Sequence, residues 1–222
     1  GQPPWLFPLP RCDDPIGYTV VVRLIGDRTF TLPVHTRARK PMTTPELVVL
    51  LDANEQPIGT ADKATVHTTD TPLHLAFSCH VFNDKGEVLI TRRALSKRTW
   101  PGVWTNSACG HPGPDENMED AIRRRAQHEL GLTLNSISLA LPDFRYRAVD
   151  ASGVVENEVC PVFIATTSMD PAPAESEVCE WKWVAPEAVR ASVQQTPFAF
   201  SPWLVDQMAA WTGPYASDVS VL

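Results

Sequence analysis

The chain has 222 residues, a length that fits one domain or one domain with an appended segment. Lysine and arginine number 19 against 26 aspartates and glutamates, which gives a formal net charge of −7, and 43% of the residues are hydrophobic. This composition excludes a disordered or fibrous chain. Its acidity argues against a nucleic-acid partner, because nucleic-acid-binding proteins are normally basic.

The sequence carries no signal for export or for membrane insertion. It contains no apolar run long enough for a membrane span, and the proline-rich start GQPPWLFPLPRCDD lacks the charged and apolar regions of a secretory signal. The 5 cysteines are odd in number and widely spaced, which favours a reducing compartment. We therefore expect a cytoplasmic protein that has no membrane partner and is a monomer or a homodimer.

Residues 1–41 differ in composition from the rest of the chain. They hold 7 of the 21 prolines, and they carry a net charge of +3 where the remainder carries −10. The stretch YTVVVRLIGDRTFTLPV predicts two strands joined by a hairpin turn at Gly26-Asp27. Two interpretations stay open: the segment is an accessory extension of a core that begins near Met42, or it is a docking or pairing segment.

Residues 42–222 show signals of mixed α/β type. Strand-like runs lie at 47–52, 73–82, 87–93, 144–150, 154–166 and 180–184. The run MEDAIRRRAQHEL has an apolar residue at every fourth position, which predicts a helix over 116–130 with Gly131 as its C-terminal cap. Further helices are predicted from Pro186 and from Pro202, since proline is favoured in a first turn. The expected fold is α/β (α+β), with a mixed β-sheet between helices in a single core domain.

Histidines and glutamates that could bind a metal ion recur along the chain. The candidates are His67, His74, His111, Glu156 and Glu158. The two glutamates stand two apart in a predicted strand, so their carboxylates share a face, which is unfavourable unless a cation or a shared proton relieves the repulsion. Three histidines with two carboxylates suit manganese, iron or zinc. Any one of these histidines taken alone favours a structural or exposed role over a ligand role, and it is their combination that favours a metal site.

Basic residues cluster in this otherwise acidic part of the chain. The clusters are Arg92-Arg93, Lys97-Arg98 and Arg123-Arg124-Arg125. They form either a solvated charged face or a pocket for a polyanion such as diphosphate, which arginine binds in a bidentate manner. Arg125 and Glu129 are neighbours on the predicted helix. That pair is a surface salt bridge, or it places a carboxylate for Mg²⁺ beside a phosphate-binding arginine.

The segment GHPGPDENMEDAIRRRAQHELGL, residues 110–132, resembles the Nudix box, G-x5-E-x7-R-E-U-x-E-E-x-G-U, where U is apolar. The matching positions are Gly110, Glu116, Arg124, Ala126, Glu129, Gly131 and Leu132. Arg125 and His128 stand where the box has glutamates that help bind metal ions in the diphosphate hydrolases of this family. Their presence argues against ordinary Nudix hydrolysis.

Several longer segments resemble type I isopentenyl diphosphate isomerases. These segments are TPLHLAFS, TRRALSKRTWPGVWTNSACGHP, DFRYRA, GVVENEVCPVF and AFSPW. The resemblance runs from about Glu46 to about Trp211 and leaves out residues 1–41. It implies a Nudix-like α/β fold and a divalent-metal-dependent interconversion of isopentenyl and dimethylallyl diphosphate, in isoprenoid biosynthesis.

The resemblance also implies roles for individual residues. It places a tightly bound Mn²⁺ or Zn²⁺ on His67, His74, His111, Glu156 and Glu158. It makes Cys109, Glu158 and Tyr146 catalytic, and Lys63, Arg93, Lys97 and Arg125 contacts of the diphosphate. It assigns Glu129 to a Mg²⁺ that accompanies the diphosphate, and Trp203 to the wall of a hydrocarbon pocket.

The chemistry explains why such residue types are needed. Moving a double bond requires one proton to be added and another removed, through a tertiary carbocation that water would trap. The resemblance implies that Glu158 with Tyr146 delivers a proton and that Cys109 removes one from the opposite face. Three alternatives stay open from the sequence: a Nudix-type diphosphate hydrolase, a non-catalytic diphosphate- or metal-binding module, and an isomerase relative that acts on another prenyl diphosphate.

Overall fold

The computed structural model describes residues 46–212 and 215, and the backbone of residues 18–23 and 29–34. The chain divides into two compact units, Gly1–Thr44 and Pro45–Leu222. In the first unit, strands β1 (Tyr18–Arg23) and β2 (Thr29–Val34) pair antiparallel. The predicted turn at Gly26-Asp27 between them lies outside the described residues. The role of this segment stays a prediction.

The second unit is built on two sheets. A five-stranded sheet contains β3 (Leu47–Leu51), β4 (Pro57–Asp62), β5 (His74–Leu75), β11 (Arg145–Val149) and β12 (Val155–Val159). Within the described residues its order is β11-β12-β5-β3-β4. Strands β12 and β5 run parallel, and their register places Glu158 opposite His74. The pairing of these strands therefore brings two candidate metal ligands together.

The other sheet has seven strands within the described part of the chain. They are β6 (Phe77–Phe82), β7 (Val88–Arg93), β8 (Trp104–Thr105), β9 (Ala108–Gly110), β10 (Ser136–Leu141), β13 (Val162–Thr166) and β14 (Val178–Val184). The main order is β10-β13-β6-β7-β14, with β8 beside β7 and β9 beside β6. Only β13 and β6 pair in parallel among these strands.

Helices cover both faces of the seven-stranded sheet. They are α2 (Met118–Leu130), α3 (Pro186–Gln195) and α4 (Pro202–Ala210), and a short 3-10 turn spans Pro197–Ala199. The short helix α1 (Lys63–Val66) instead follows β4 of the five-stranded sheet. One buried apolar cluster joins α2 to alternate residues of β6 such as Phe77. The other joins α3 and α4 to the opposite face, which carries Phe82. This alternation follows from the two-residue period of a strand, and the mixed α/β architecture agrees with the prediction.

Two of the predicted strands are not continuous. The runs 73–82 and 154–166 each divide between the two sheets, because the chain passes from one sheet to the other at Ala76 and at Cys160-Pro161. Pro161 has no N–H to donate to a ladder, which favours a break at this point. Its carbonyl instead accepts a bond from the Ser78 amide at 3.1 Å. The two crossings align the sheets side by side at the site described below.

Helix α2 begins two residues later than predicted and ends where predicted. Asn117 caps its start, since the side chain accepts a bond of 2.8 Å from the amide of Glu119. At the other end Gly131 has φ +66°, and its amide donates to the Gln127 carbonyl at 3.1 Å, which closes the helix in an αL motif.

The strands β4, β8, β9 and β10 and the helix α1 lie outside the predicted elements. Strands β4, β8 and β9 and helix α1 are short or largely exposed, and lack the apolar periodicity that marks longer elements. Strand β10, with the sequence SISLAL, does alternate apolar residues, and the prediction missed it. The helix α1 is fixed by Asp62, whose side chain accepts from the Ala64 amide at 2.9 Å. This unpredicted turn carries Lys63 and leads into His67.

Replacing Gly131 with alanine tests the closure of α2. A Cβ at this position would lie 3.0 Å from the Ala172 carbonyl oxygen, and the left-handed backbone adds a cost of about 1–2 kcal/mol. We expect Gly131→Ala to lower the free energy of unfolding by about 2 kcal/mol or more, measured by urea denaturation.

The matched control is Gly86→Ala. Gly86 has φ +75°, but a Cβ there meets no atom within 4 Å. We expect this variant to lose only the free energy of unfolding that corresponds to the left-handed backbone, about 1 kcal/mol. Equal losses in the two variants would contradict the steric role assigned to Ala172.

Candidate active site

A cavity of about 300 Å³ lies where the two sheets meet, and it gathers most of the predicted site residues. Its lining includes Lys63, His67, Arg93, Lys97, Cys109, His111, Arg125, Glu129, Tyr146, Glu156, Glu158 and Trp203. His74 is fully buried directly behind this lining. Both sheets contribute, since Cys109 comes from β9 and Glu158 from β12.

Three histidines surround one carboxylate at the inner wall of the cavity. The metal-ligating atoms of His67, His74, His111 and Glu158 all lie within 4.8 Å of one another. The Glu158 Oε1 atom is 3.0 Å from His111 Nε2 and 3.5 Å from His74 Nε2. The ring centroids of the histidines are 5.1–5.7 Å apart. Four of the five predicted ligands are thus within reach of one ion.

The fifth predicted ligand, Glu156, lies at the outer side of this cluster. Its Oε2 atom is 3.0 Å from His67 Nε2, and its Oε1 atom accepts a bond of 3.1 Å from the Thr99 hydroxyl. Glu156 and Glu158 both border the cavity, as the alternation of a strand requires. Within the described residues, the convergent group of ligand atoms contains the other four predicted ligands and leaves out Glu156, which adjoins that group through His67.

The hydrogen bonds of the histidines fit a metal centre. His74 Nδ1 donates to the Pro72 carbonyl at 2.9 Å, which leaves Nε2 with a lone pair that faces the cluster. Among the described residues, His67 Nε2, His74 Nε2 and His111 Nδ1 are buried without a hydrogen-bond partner. Buried polar atoms are normally satisfied, so these nitrogens indicate that the cluster accommodates a cation.

The charge state of the cluster also favours a cation. Burial alone would raise the pKa of Glu158, but the adjacent His111 and His74 rings outweigh it and hold the pKa well below its ordinary value. Burial lowers the pKa of His111. Glu158 is thus anionic and His111 neutral near pH 7, which are forms that bind metal ions. Burial would lower the pKa of His74, but the Glu158 carboxylate outweighs it and raises that pKa, so a metal ion would compete with a proton at His74.

The outer end of the cavity is cationic and is lined by four predicted diphosphate contacts. Arg125 forms an ion pair with Glu129, and Lys97 forms one with Glu177. Lys63 Nζ lies 2.9 Å from a carboxylate oxygen of Glu46. Burial, and then the neighbouring Arg125 charge, lower the pKa of Lys63. These close cations make the end of the cavity suited to a polyanion.

Glu129 belongs to this outer end and stands apart from the histidine cluster. It is buried, and burial raises its pKa while the Arg125 charge opposes that rise. Its position beside the cationic side chains is compatible with a metal ion that accompanies a bound diphosphate.

The basic clusters of the sequence divide in the structure. Arg93, Lys97, Arg98 and Arg125 line the cavity. Arg92, Arg123 and Arg124 instead contact Glu180, the Leu134 carbonyl and Glu116, respectively, outside the cavity lining. The cavity therefore receives both residues of the Lys97-Arg98 run and one residue of each of the other two runs, and their binding to a diphosphate stays a prediction.

The third part of the cavity is aromatic. The Tyr146 and Trp203 rings are 5.7 Å apart, and Trp100 packs edge-on against Trp203 at 5.4 Å. The Trp203 indole donates to the Thr105 hydroxyl at 2.9 Å and to the Asn106 side-chain oxygen at 3.0 Å, which fixes the plane of its ring. The Arg93 guanidinium lies 5.3 Å from the centre of that ring. Such a wall excludes water and can stabilise positive charge.

Cys109 and Tyr146 border this aromatic part. Burial raises the pKa of Cys109 to about 11, and bonds from Ser78 and Asn106 oppose that rise. Burial also raises the pKa of Tyr146 well above its usual range, so the hydroxyl keeps its proton. Tyr146 stands opposite Glu158 in the β11–β12 ladder. A thiol therefore comes from one sheet, and a carboxylate with a phenol from the other.

Sequence reasoning missed several residues of the cavity. Thr99 contacts Glu156, while Glu46 and Glu177 pair with the cationic side chains. The sequence marks none of these three, because each reaches the site through the folding of a distant segment.

Comparisons with known proteins give the class of this chain. The family described as the NUDIX domain matches residues 72–204. The crystal structure of DR0079 from Deinococcus radiodurans superposes with a TM-score of 0.59 at 18% identity, over 76% of this chain and 100% of that one, which shows a shared fold.

Curated relatives narrow the class to one family. Isopentenyl-diphosphate Delta-isomerase of Kocuria rhizophila is 65% identical over 75% of this chain and 92% of its own length. The proteins of that name from Clavibacter sepedonicus and Corynebacterium glutamicum are 65% and 59% identical, over 80% and 76% of this chain and 88% and 93% of their own lengths. The chain therefore belongs to the isopentenyl-diphosphate Delta-isomerase family, within the NUDIX fold class. These relatives confirm the resemblance that the sequence motifs indicated.

Across the described residues, no helix combines the length and the apolar character that crossing a bilayer requires.

Replacing His74 tests whether the histidine cluster holds a metal ion. His74→Gln removes the Nε2 lone pair at a fully buried position. We expect the variant, loaded with Mn²⁺ or Zn²⁺ and dialysed, to retain at least tenfold less metal than the unaltered protein by elemental analysis.

The exposed His128 on α2 provides the matched control. His128→Gln should retain the full metal content. Metal retention by both variants would show that the cluster is a hydrogen-bonded structural feature and not a metal centre.

Proposed function

We propose that this protein interconverts isopentenyl diphosphate and dimethylallyl diphosphate, the reaction for which its curated relatives are named. The observation that carries the proposal is the composition of one cavity. It joins a cationic end, a histidine–glutamate cluster, and an aromatic part that holds a thiol and a phenol. A small prenyl diphosphate has the matching parts, which are a charged head and a short hydrocarbon tail.

The diphosphate would bind at the cationic end. Lys63, Lys97 and Arg125 supply positive charge there, and Glu129 would bind a Mg²⁺ that accompanies the substrate. This anchoring holds the weakly interacting tail in register between the acid and the base. Binding of the charged head thus orients the substrate, because the hydrocarbon tail makes no strong directional contacts of its own.

The tail would lie between the two sheets, with a proton donor on one side and a proton acceptor on the other. In the resting site Glu158 is a carboxylate and Cys109 is a thiol, so the forward direction begins after Glu158 has gained a proton and Cys109 has lost one. Glu158, assisted by Tyr146, then adds its proton to the terminal carbon of the double bond. The Cys109 thiolate then removes a proton from the carbon next to the diphosphate-bearing carbon. Glu158 ends as a carboxylate and Cys109 as a thiol, so the protons balance, and the reverse reaction exchanges these roles.

A Mn²⁺ or Zn²⁺ on His67, His74, His111, Glu156 and Glu158, when bound, would hold the Glu158 carboxyl in place and polarise it. The chain's own contribution is the dry aromatic wall. Trp203 offers its indole face to the cationic intermediate, an interaction worth about 2 kcal/mol when desolvated. Exclusion of water protects that intermediate from capture.

Arg125 favours isomerisation over hydrolysis at this site. It stands where the Nudix box has a metal-binding glutamate, and it pairs with Glu129, the glutamate that the box retains. A cation in this position reduces the number of carboxylates available for the metal ions that hydrolysis requires. The site instead places its second group of ligands around Glu158.

Replacing Cys109 tests the proposed base. We expect Cys109→Ala to fold, to keep its metal content and to form dimethylallyl diphosphate at least 100-fold more slowly, since positioned acid–base groups contribute about 10²–10⁴-fold. The assay is conversion of isopentenyl diphosphate followed by NMR.

Cys179→Ala is the matched control, because Cys179 is an exposed free cysteine. It should convert substrate at the rate of the unaltered protein. An active Cys109→Ala protein would refute the role of the thiol, and an inactive unaltered protein would refute the proposed reaction.

Replacing Lys97 tests whether the cationic end of the cavity binds diphosphate. Loss of one charge-assisted contact, worth about 1.5–3 kcal/mol, should raise the dissociation constant for inorganic diphosphate by about tenfold or more. The measurement is isothermal titration calorimetry on Lys97→Ala in the presence of Mg²⁺.

The exposed Lys85 serves as the control for net charge. Lys85→Ala should bind diphosphate as the unaltered protein does. If Lys97→Ala also binds diphosphate normally, the cationic cluster is a solvated face rather than a binding site.

A further inference from the structure

Polar side chains lie in the apolar core directly behind the Cys109 thiol. Ser78, His80 and Gln207 have no exposed surface. They stand among the apolar side chains that join α4 to the seven-stranded sheet. Burying polar groups costs free energy unless they bond to one another, so three of them in one core require an explanation.

These side chains form one continuous series of hydrogen bonds that ends on the thiol. Tyr215 and His80 are joined by a bond of 2.5 Å, and His80 and Gln207 by one of 2.9 Å. Gln207 Nε2 donates to Ser78 Oγ at 2.8 Å, and Ser78 Oγ lies 3.3 Å from Cys109 Sγ. Ser78 and Cys109 are directly opposite each other in the β6–β9 ladder.

The series has a defined direction. Burial lowers the pKa of His80 to about 4, so the ring is neutral and donates from one nitrogen only. Because Gln207 Oε1 accepts from His80 Nε2, the Nδ1 atom accepts from the Tyr215 hydroxyl. Ser78 accepts from Gln207, which leaves the Ser78 hydroxyl proton for a sulfur atom, either that of Cys109 at 3.3 Å or that of Cys160 at 3.5 Å.

A second amide holds the thiol from another side. Asn106 Nδ2 donates to the carbonyls of Cys79 and Ala108, at 3.2 and 2.9 Å, and lies 3.3 Å from the Cys109 sulfur. Its oxygen accepts from the Trp203 indole. The sulfur is thus contacted by two polar side chains whose own orientations are fixed.

Helix α4 links this series to the aromatic wall. Trp203 and Gln207 are four residues apart and therefore on the same side of the helix. Trp203 donates a hydrogen bond to Asn106, and Gln207 donates one to Ser78. Two residues on one turn of α4 thus hold, by hydrogen bonds, both polar side chains that contact the sulfur.

We propose that Ser78, held by Gln207 and His80, is a positioning residue that fixes the Cys109 sulfur toward the cavity. Its catalytic meaning rests on the proposed isomerase function. Because a hydroxyl both donates and accepts, Ser78 can bond to the sulfur whether it is a thiolate or a thiol. Cys109 is a base in one direction of the reversible reaction and an acid in the other, so a neighbour that can bond to both forms keeps the sulfur in place throughout.

The test compares Ser78→Ala and Gln207→Met with the unaltered protein. We expect kcat to fall by about tenfold or more in both variants. The KM for isopentenyl diphosphate and the metal content should stay within twofold, because neither residue lines the described cavity. Ser78→Thr keeps the hydroxyl and should recover most of kcat. In the absence of substrate, iodoacetamide should modify Cys109 at least fivefold more slowly in both variants, by peptide mass spectrometry.

Cys79→Ala is the control for a general loss of packing. Cys79 is buried on the same strand but faces the other cluster, so this variant should lose stability and keep kcat. Unchanged kcat in Ser78→Ala and Gln207→Met, or an equal fall in Cys79→Ala, would overturn the proposal. If the unaltered protein forms no dimethylallyl diphosphate, the proposed function fails. The rates at which iodoacetamide modifies Cys109 then test the positioning role by themselves, and unchanged rates in Ser78→Ala and Gln207→Met would overturn it.

Discussion

The buried carboxylate of Glu158 is the group on which the rest of the site depends. It is only 5% exposed, and the histidines around it include nitrogens that have no other partner. An anion with this little solvent requires compensation by hydrogen bonds, protons or a cation. His111 provides a hydrogen bond within the chain, and the lone pairs that converge on the carboxylate can bind a cation. The chemistry proposed for Glu158 follows from this arrangement.

The two sheets lie next to each other because two segments of the chain cross from one sheet into the other. The chain leaves the five-stranded sheet at Ala76 and again at Cys160-Pro161, and it continues directly into the seven-stranded sheet each time. The parallel pairing that follows sets His74 opposite Glu158 on one side of the crossing. On the other side, the antiparallel pairing sets Ser78 opposite Cys109. The metal cluster and the thiol are therefore positioned by the same crossings.

The sequence predicted the parts of this structure that depend on local pattern. The apolar repeat of α2, its glycine cap and the shared face of Glu156 and Glu158 all follow from helix and strand periods. Family motifs then identified the residues that the cavity brings together. They could do so because the motif segments supply most of its lining.

Other features depend on contacts between distant segments and left no local signal. The turn that carries Lys63 is held by a cap and by pairing with β3, in a stretch without apolar periodicity. His80 bonds to Gln207 across 127 positions of the chain, and neither residue is distinctive in the sequence. Buried polar networks of this kind become visible only when the partners are placed in space.

The most direct test of the account is proton exchange at carbon during turnover. Isopentenyl diphosphate is incubated in D₂O with the protein, Mg²⁺ and added Mn²⁺ or Zn²⁺, and the products are followed by proton NMR. The account predicts dimethylallyl diphosphate that carries deuterium in a methyl group, because a solvent-derived proton is added at one carbon while another is removed. Release of phosphate, or unchanged isopentenyl diphosphate in a folded, metal-loaded sample, would contradict it.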